Sequence, residues 1–217
     1  MNDGGLRLHP DRLKRAFDAL AATFLMIVLA PALVVLAAIV RLDTPGPALF
    51  TQTRIGRGGR PFTLYKFRTF HVREFGIFPG EEIRPGDPRV TPAGHFLRRA
   101  KLDELPQLLN VLLGDMSLVG PRPDIPIQVA DYTPQDRERL RVRPGLTGLA
   151  QVSGNVWLPW PDRIALDRWY VRRRSNALDL RILVATLPLL LRGERAEDDP
   201  LGVRAEIFPE SGPDRIA

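Results

Sequence analysis

Residues 102–107 read Leu-Asp-Glu-Leu-Pro-Gln, and the predicted fold is organised around them because they place two adjacent carboxylates at a helix start. Leucines recur at positions 105, 108, 109 and 112, the spacing of a helix face, and Gly114 supplies a stop signal. A helix N-terminus favours anions, so Asp103 can simply cap this helix, with Pro106 tolerated in the first turn. The carboxylate pair alone therefore does not indicate a catalytic site.

Basic residues flank the acidic pair on both sides. Arg98, Arg99 and Lys101 precede it, and Arg122 follows in a Gly-Pro-Arg-Pro turn whose prolines restrict the backbone. A capping carboxylate does not need these cations, whereas a site that holds a phosphate against a carboxylate nucleophile needs most of them. Phosphoryl transfer depends on positioning and on charge neutralisation by Arg, Lys and a divalent metal, and an Asp can be the attacking group. The flanking cations therefore favour phosphoryl-transfer chemistry.

The same stretch resembles the signature of the bacterial sugar transferases, the monotopic polyprenyl-phosphate phosphoglycosyl transferases. The resemblance covers about residues 12–195 in the family's order. Its further segments are Arg-Leu-Asp-Thr-Pro-Gly-Pro-Ala-Leu-Phe at 41–50, Gln-Thr-Arg-Ile-Gly-Arg at 52–57, Tyr-Lys-Phe-Arg-Thr at 65–69, Gly-Asp-Met-Ser-Leu-Val-Gly-Pro-Arg-Pro at 114–123, Arg-Pro-Gly-Leu-Thr-Gly at 143–148 and Asp-Arg-Trp-Tyr-Val at 167–171.

This resemblance implies transfer of a sugar-1-phosphate from a nucleoside diphosphate sugar, expected to be a UDP-sugar, to polyprenyl (undecaprenyl) phosphate. It implies that Asp103 is the nucleophile of a covalent aspartyl-phosphosugar intermediate and that Glu104 helps to hold Mg²⁺. Nucleoside monophosphate would be the released product. The resemblance and the flanking charges together place the following residues at the substrates: Lys66, Arg68, Arg98, Arg122, Arg143 and Asp167.

Some of these assignments have simpler alternatives. Lys66 and Arg68 lie two apart on a predicted strand and project from one face, where an isolated pair would form a solvated basic edge; the resemblance favours the phosphate site. Asp167 could equally form an ion pair with a nearby Arg. Residues 148–155 read Gly-Leu-Ala-Gln-Val-Ser-Gly-Asn where the family has Gly-Trp-Ala-Gln-Val-Asn-Gly-Arg-Asn. This departure affects the expected nucleotide and sugar contacts more than the chemistry.

Composition limits the classes of protein that remain. A chain of 217 residues fits one domain, and the absence of cysteine excludes a disulfide framework and a thiolate metal site. The net charge of +6 indicates an anionic partner, which could be nucleic acid, acidic lipid or a phosphorylated substrate. A nucleic-acid-binding protein would not need a long uncharged run, and no nucleic-acid-binding motif is present. A catalytically inactive membrane scaffold of the same fold is the other alternative, and the intact acidic pair argues against it.

The long uncharged run extends over 22 residues from Ala19 to Val40, which is enough to cross a bilayer core about 30 Å thick. Cations lie on both sides of it, so the positive-inside rule gives no orientation. Pro31 near its middle would kink the helix, and a bent helix that enters and leaves by one face accounts for all these facts. A spanning helix remains equally consistent with the physics, because membrane helices tolerate proline. The resemblance favours the re-entrant form, at the cytoplasmic face of a bacterial inner membrane.

The predicted fold class is therefore mainly α with a small β-hairpin, formed by residues 49–52 and 62–67, on a monotopic membrane protein. We divide the chain into a flexible N-terminus (1–11), a re-entrant helix (12–41), a catalytic domain (42–195) and a loosely ordered tail (196–217). Residues 178–191 are predicted to form an amphipathic helix in the membrane interface. The arginines of residues 127–142 are expected on a solvated or headgroup-facing helix surface. A homo-oligomer is compatible with the sequence.

Overall fold

The computed structural model describes residues 11–71, 87–193 and 195–208. In these ranges the chain is mainly helical, as predicted. The helices are α1 (Asp11–Asp43), α2 (Pro92–Arg99), α3 (Gln107–Leu113), α4 (Pro126–Ala130), α5 (Leu149–Val152), α6 (Trp160–Arg173), α7 (Asn176–Arg192) and α8 (Val203–Ile207). The strands are β1 (Leu49–Ile55), β2 (Pro61–Phe67), β3 (Ser117–Val119) and β4 (Gly145–Thr147). The predicted flexible N-terminus lies outside the described residues, apart from Asp11.

Strands β1 and β2 form the predicted antiparallel hairpin, with Leu49 opposite Phe67 and Ile55 opposite Pro61. A short 3₁₀ turn, Arg57–Gly59, connects them. Gly58 and Gly59 have φ values of 71° and 77°, which glycine adopts without a steric penalty. The glycine cluster therefore serves the hairpin turn.

Helix α3 connects the hairpin to the acidic stretch. It ends at Gly114, whose φ of 92° confirms the predicted stop. The buried Asn110 side chain donates to the carbonyl of Thr63 at 2.6 Å and accepts from the N–H of Tyr65 at 3.1 Å. These two hydrogen bonds fix β2 against α3, and so bring Lys66 towards the acidic pair that precedes α3.

Strands β3 and β4 pair in parallel, with Ser117 opposite Gly145. A Cβ atom on Gly120 or Gly145 would collide with the backbone of the facing segment, so this close approach requires glycine. The Gly-Pro-Arg-Pro turn follows directly from β3. The pairing of β3 with β4 therefore determines the position of Arg122 relative to the core.

Helix α1 is long and apolar enough to cross a membrane, by its length and composition. One side packs on the rest of the protein over the whole length: Ala22 joins the main core, and Leu36 and Val40 pack with Phe67 and Leu97. The other side exposes large apolar side chains, among them Leu20, Phe24, Ile27 and Val34. The helix continues through Pro31 from Asp11 to Asp43, and the re-entrant arrangement stays a prediction.

Two segments differ from the prediction. Residues 127–142 do not form one polar helix, but α4 followed by the 3₁₀ helix Asp136–Arg141, in which Arg139 is buried. Residues 196–208, predicted to be part of a loose tail, are folded: α8 packs on α6 and buries Val203 in the main core. The acidic residues drive this order, because Asp198 accepts from Arg192 and Asp199 accepts from the N–H groups at the start of α8. The rest of the predicted tail, residues 209–217, lies outside the described residues.

Candidate active site

The acidic pair lies in a short 3₁₀ helix, Leu102–Glu104, between α2 and α3. Asp103 and Glu104 are both buried, at 4% and 7% exposure. Lys101 enters this turn in the left-handed conformation, with φ of 56°. The N-cap residue of α3 is Pro106, without a side-chain capping bond, so Asp103 does not cap the helix that follows it. Two buried carboxylates without a capping role are unusual unless other charges compensate them.

Cations from two different elements neutralise Glu104. Lys66 on β2 donates to Glu104 Oε1 at 2.8 Å, and Arg122 donates to the same oxygen at 2.8 Å and to Oε2 at 3.4 Å. Burial alone would raise the pKa of Glu104, but the charges of Arg122 and Lys66 outweigh burial and hold this pKa well below its usual range. Glu104 is therefore a fixed negative charge at neutral pH. Lys66 and Arg122, both predicted to lie at the substrates, thus meet at the acidic pair.

Asp103 has a different environment from its neighbour. In the described part of the chain, its carboxylate takes part in no hydrogen bond or ion pair, whereas Glu104 has two cationic partners. Burial raises the pKa of Asp103; Lys66 opposes this rise and the negative charge of Glu104 adds to it. An ionised carboxylate that is more basic than usual, and not engaged by a donor, is suited to nucleophilic attack.

Arg98 lies on the Asp103 side of the pair. Its guanidinium lies over the ring of Phe70, 5.4 Å from the centroid, and its charge is among those that act on Asp103. The charge of Arg122, by contrast, acts on Glu104. The charges of Arg98 and Arg122 thus act on different carboxylates of the pair, and their predicted role in binding phosphate stays a prediction.

Arg139 holds the backbone of Arg122 in place. The Arg139 guanidinium donates to the carbonyl of Arg122 at 2.8 Å and also contacts Asp124, Asp167 and the Tyr132 hydroxyl. Arg139 and Asp167 are 5% and 2% exposed. This buried network holds the Pro121–Asp124 turn by its backbone, and thereby sets the position of the Arg122 side chain.

The prediction for Asp167 is resolved by this contact in favour of the ion pair. Its carboxylate is bound by Arg139, and burial raises its pKa to about 6 despite the opposing charge of Arg139. Asp167 therefore supports the site through Arg139 and the Arg122 carbonyl. Sequence reasoning missed Arg139, because it stands in a run of arginines that is typical of a solvated surface. The one available signal was Asp167, which needed a basic partner.

The structure places Arg68 differently from the prediction. Its guanidinium is 1% exposed and donates to the carbonyls of Pro45, Val40 and Thr44 at 2.7, 3.1 and 2.7 Å. These carbonyls lie at and just beyond the end of α1, where helix geometry leaves acceptors without partners. The expectation that Arg68 lines the phosphate site together with Lys66 is therefore wrong: Arg68 caps the C-terminal end of α1.

Arg143 also lies at a helix end. Its Nε donates to the carbonyl of Gly114 at 2.8 Å, directly after α3. Arg15 of α1 donates to the carbonyls of Val111 and Leu112 in the last turn of the same helix, at 2.5 and 2.6 Å. The contacts described for Arg143 are thus structural, and its predicted role at the nucleotide sugar is not tested by them.

The acidic pair could bind a metal ion jointly with a substrate, but it does not form a metal site from the described protein ligands alone. Over residues 11–71, 87–193 and 195–208 there is no cluster of three or more His, Cys, Asp or Glu side chains that could hold a metal ion. Mg²⁺ is commonly held by one or two carboxylates together with substrate phosphates and water. Glu104 Oε1 receives both short bonds, and the contact to Oε2 is the long one at 3.4 Å. Glu104, through Oε2, could therefore join a Mg²⁺ coordination shell that a diphosphate and water complete.

Comparison with known proteins agrees with this arrangement. The family model described as bacterial sugar transferase matches residues 9–193. The UDP-glucose:undecaprenyl-phosphate glucose-1-phosphate transferase of Caulobacter vibrioides is 47% identical over 199 residues, which are 88% of this chain and 74% of that protein. The uncharacterized sugar transferase EpsL of Bacillus subtilis is 42% identical over 92% of this chain and 97% of its own length. The Escherichia coli protein with the same name as the Caulobacter transferase is 40% identical over 81% of this chain and 39% of its own length. A family match over residues 9–193, with relatives more than 40% identical over most of the chain, shows that this protein belongs to the bacterial sugar transferase family.

Proposed function

We propose that this protein transfers a sugar-1-phosphate from a nucleoside diphosphate sugar, with UDP-sugars as the first class of donor, to undecaprenyl phosphate. The observation that carries the proposal is the asymmetry of the acidic pair: Glu104 is bound by Lys66 and Arg122, while the buried Asp103 beside it accepts no hydrogen bond from any described residue. Relatives named as undecaprenyl-phosphate sugar phosphotransferases support the reaction class. Such a transfer would be the first membrane step in the synthesis of a polysaccharide or glycoconjugate.

In the first step, a carboxylate oxygen of Asp103 attacks the phosphorus that carries the sugar. A bond forms between this oxygen and phosphorus, and the bond from phosphorus to the bridging oxygen breaks. The electron pair leaves with the nucleoside monophosphate, and the sugar phosphate remains on Asp103 as an acyl phosphate. In the second step, an oxygen of undecaprenyl phosphate attacks the same phosphorus. The Asp103 carboxylate is released, and the product is a sugar linked to the lipid through a diphosphate.

The basic residues make attack by one anion on another feasible. Lys66 and Arg122 are held by Glu104 close to the position of the donor diphosphate, and Arg98 contributes positive charge beside Asp103. Arg is favoured for phosphate because its planar fork can bind two oxygens. Mg²⁺ held in part by Glu104 would supply further neutralisation of the diphosphate. Glu104 therefore orients the cations in addition to its proposed role as a metal ligand.

The contacts of α1 support a monotopic arrangement. At the N-terminal end, Lys14 pairs with Asp179 at 2.7 Å; at the C-terminal end, the carbonyl of Val40 accepts from Arg68. A straight helix across a bilayer core of about 30 Å would put one of these ends on the far side from the domain. Since both ends are attached to the same domain, we propose that both lie on the cytoplasmic side of the bacterial inner membrane and that α1 enters the bilayer without crossing it.

Helix α7 supplies a second apolar surface. Leu180, Val184, Leu187 and Leu191 are exposed at helical spacing along it, while Ile182 on the opposite side is buried in the main core. An exposed apolar stripe on an otherwise packed helix is suited to the headgroup boundary. We assign α7 to the membrane interface, where a lipid-linked acceptor and a soluble donor can meet at one site.

The test of the reaction is release of nucleoside monophosphate from a panel of UDP-sugars, with protein in nanodiscs, Mg²⁺ and undecaprenyl phosphate. We expect release from at least one donor with wild-type protein and none with Asp103→Asn. A folded, membrane-bound wild type that releases nothing from any nucleoside diphosphate sugar would support the inactive scaffold. Full activity of Asp103→Asn would refute the role of Asp103.

The test of the topology uses the absence of cysteine from the chain. Arg12→Cys and Arg41→Cys each place one thiol at an exposed position, one near each end of α1. In spheroplasts, an impermeant maleimide should label neither position from outside, and both should react after lysis. External labelling of one position would show that the helix crosses the membrane.

A further inference from the structure

Arg54 shares one face of the hairpin with Lys66. Residues directly opposite each other in an antiparallel pair project to the same side, as do residues two apart on one strand. Arg54 lies opposite Phe62, and Lys66 lies opposite Phe50 four pairs along the ladder, so all four side chains belong to one face. This is the face from which Lys66 reaches Glu104. The hairpin therefore presents a second cation in the direction of the candidate site.

Two hydrogen bonds hold the Arg54 guanidinium against the turn that carries Arg122. Nη2 donates to Gln52 Oε1 at 2.8 Å, and Nη1 donates to the carbonyl of Pro123 at 3.1 Å. The N–H of Ile55 donates to the carbonyl of Asp124 at 2.9 Å and attaches the strand to the same turn. Nε of Arg54 is buried and has no partner in the described part of the chain. The guanidinium is thus fixed in place with one donor unused.

The charges around Arg54 favour an additional anion. Burial and the neighbouring charge of Arg122 lower the pKa of Arg54 to about 10, although Asp124 and Glu104 act in the opposite direction. Asp124 is already paired with Arg139, and Glu104 is shared by Lys66 and Arg122. Arg54 and Arg122 repel each other beside the carboxylate of Glu104. An anion that contacts both guanidiniums would offset this repulsion.

We propose that Arg54 contacts the diphosphate of the nucleotide donor and binds it together with Arg122. This inference rests on the proposed function for the identity of the anion. Arg54 also stands in the Gln-Thr-Arg-Ile-Gly-Arg segment, to which the reaction scheme above gives no role. Its described contacts are to β1 and to the Pro121–Asp124 turn, whereas α2, which carries Arg98, packs on the membrane helix α1. Arg54 is therefore assigned to the soluble donor and not to the phosphate of the lipid acceptor.

The test compares Arg54→Gln and Arg54→Lys with Arg60→Gln, a matched control at an exposed position beside the turn of the same hairpin. The first measurement is the dissociation constant of UDP, GDP and ADP for nanodisc-embedded protein with Mg²⁺. We expect Arg54→Gln to weaken binding of the preferred nucleotide by about 10- to 100-fold, the loss expected for one charged hydrogen-bond donor. Arg54→Lys should recover part of this affinity, and Arg60→Gln should stay within about twofold of wild type.

The second measurement separates donor from acceptor. The rate of the first turnover of nucleoside monophosphate release, without acceptor, should fall in Arg54→Gln, while the dissociation constant of a short-chain polyprenyl phosphate should not change. A fall in acceptor affinity alone would overturn the assignment to the donor. Nucleotide binding equal to wild type would overturn the proposal altogether.

A structural role for Arg54 is distinguished by a further variant. Gln52→Leu removes the hydrogen bond to Nη2 but keeps the charge of Arg54, so nucleotide affinity should fall less than in Arg54→Gln. Gln52→Leu and Arg54→Lys could bind nucleotide as weakly as Arg54→Gln, with a lower melting temperature in all three variants. In that case Arg54 only stabilises the turn, and the proposal is wrong. If wild-type protein binds nucleotide but releases no monophosphate, the proposed reaction is wrong. The nucleotide affinities of the variants still decide whether Arg54 binds the diphosphate. Wild-type protein that binds none of the three nucleotides would refute both.

Discussion

Replacement of each carboxylate of the acidic pair by its amide should change stability in opposite directions. Asp103 and Glu104 are adjacent and similarly buried, but among the described residues only Glu104 has cationic partners at hydrogen-bond distance. Asp103→Asn removes a buried charge whose ionised form is disfavoured by burial and by Glu104. Glu104→Gln removes the shared partner of Lys66 and Arg122 and leaves two buried or half-buried cations close together.

The magnitudes follow from these partners. Loss of one partner from a buried ion pair costs roughly 3–5 kcal/mol, and an amide oxygen that still accepts one hydrogen bond reduces this to about 3 kcal/mol for Glu104→Gln. Removal of a buried carboxylate without a hydrogen-bond partner should stabilise the fold by about 1 kcal/mol in Asp103→Asn. For a domain of this size, 1 kcal/mol corresponds to a shift of about 2–4 °C in the melting temperature. We expect a rise of about 2–4 °C for Asp103→Asn and a fall of about 6–12 °C for Glu104→Gln.

The assay is thermal unfolding of both variants in one detergent, followed by tryptophan fluorescence at several pH values. The pKa of Asp103 is raised in the folded state, so its destabilising effect is present at neutral pH and disappears as the carboxyl is protonated. The advantage of Asp103→Asn should therefore shrink on acidification. The pKa of Glu104 is depressed, so its stabilising effect is present above the ordinary value of 4.5 and is lost only as pH falls through the lower folded-state pKa. Equal destabilisation by both variants at neutral pH would refute the asymmetry on which the proposed mechanism depends.

Three further outcomes are expected. Arg68→Met should lower stability by about 3 kcal/mol or more, because three backbone carbonyls at the end of α1 lose their donor, whereas the exposed Arg60→Met should change the melting temperature by less than about 2 °C. Asp167→Asn should lose stability relative to wild type on acidification from pH 7 to pH 5. The pKa of Asp167 in the folded state is about 6, so only the folded wild type gains a proton in this range. A stability difference between variant and wild type that does not change with pH would contradict this. Phe24→Glu, on the exposed side of α1, should weaken liposome flotation strongly, whereas Ile127→Glu, on the exposed side of α4, should not; equal flotation of both would argue against α1 as the membrane anchor.

Features that depend on local pattern could be predicted from the sequence. The uncharged run predicts α1, and the glycines between two apolar segments predict the hairpin. The leucine spacing with Gly114 predicts α3. Arg122 could be expected at the acidic pair from the cations that flank it in the sequence, whereas Lys66 could be expected there only from the resemblance of residues 65–69 to a family segment. The helix and hairpin predictions depend on interactions within one element or between neighbouring segments.

Features that depend on distant partners could not be predicted. Arg139 looks solvated among its neighbours, yet it is buried because Asp124 and Asp167 stand 15 and 28 positions away in the chain and converge on it. Arg68 looks like a partner of Lys66, but its donors are taken by carbonyls 23 to 28 positions earlier. Charge alone shows that an arginine needs an acceptor, and only the packing of α1, β2 and α6 shows which acceptor is within reach.

The different roles of Lys66 and Arg68 connect the candidate site to the membrane helix. Lys66 binds Glu104, and two residues later Arg68 binds the carbonyl groups at the end of α1. The next side chain before Arg68, Phe67, is buried against Leu36 and Val40 of the same helix. A shift of α1 relative to the domain would therefore pull on the strand that holds Lys66. A misplacement of about 1 Å at a reacting centre can cost about 100-fold in rate, so we expect the contacts at the end of α1 to affect the rate of the proposed reaction as well as the stability of the helix.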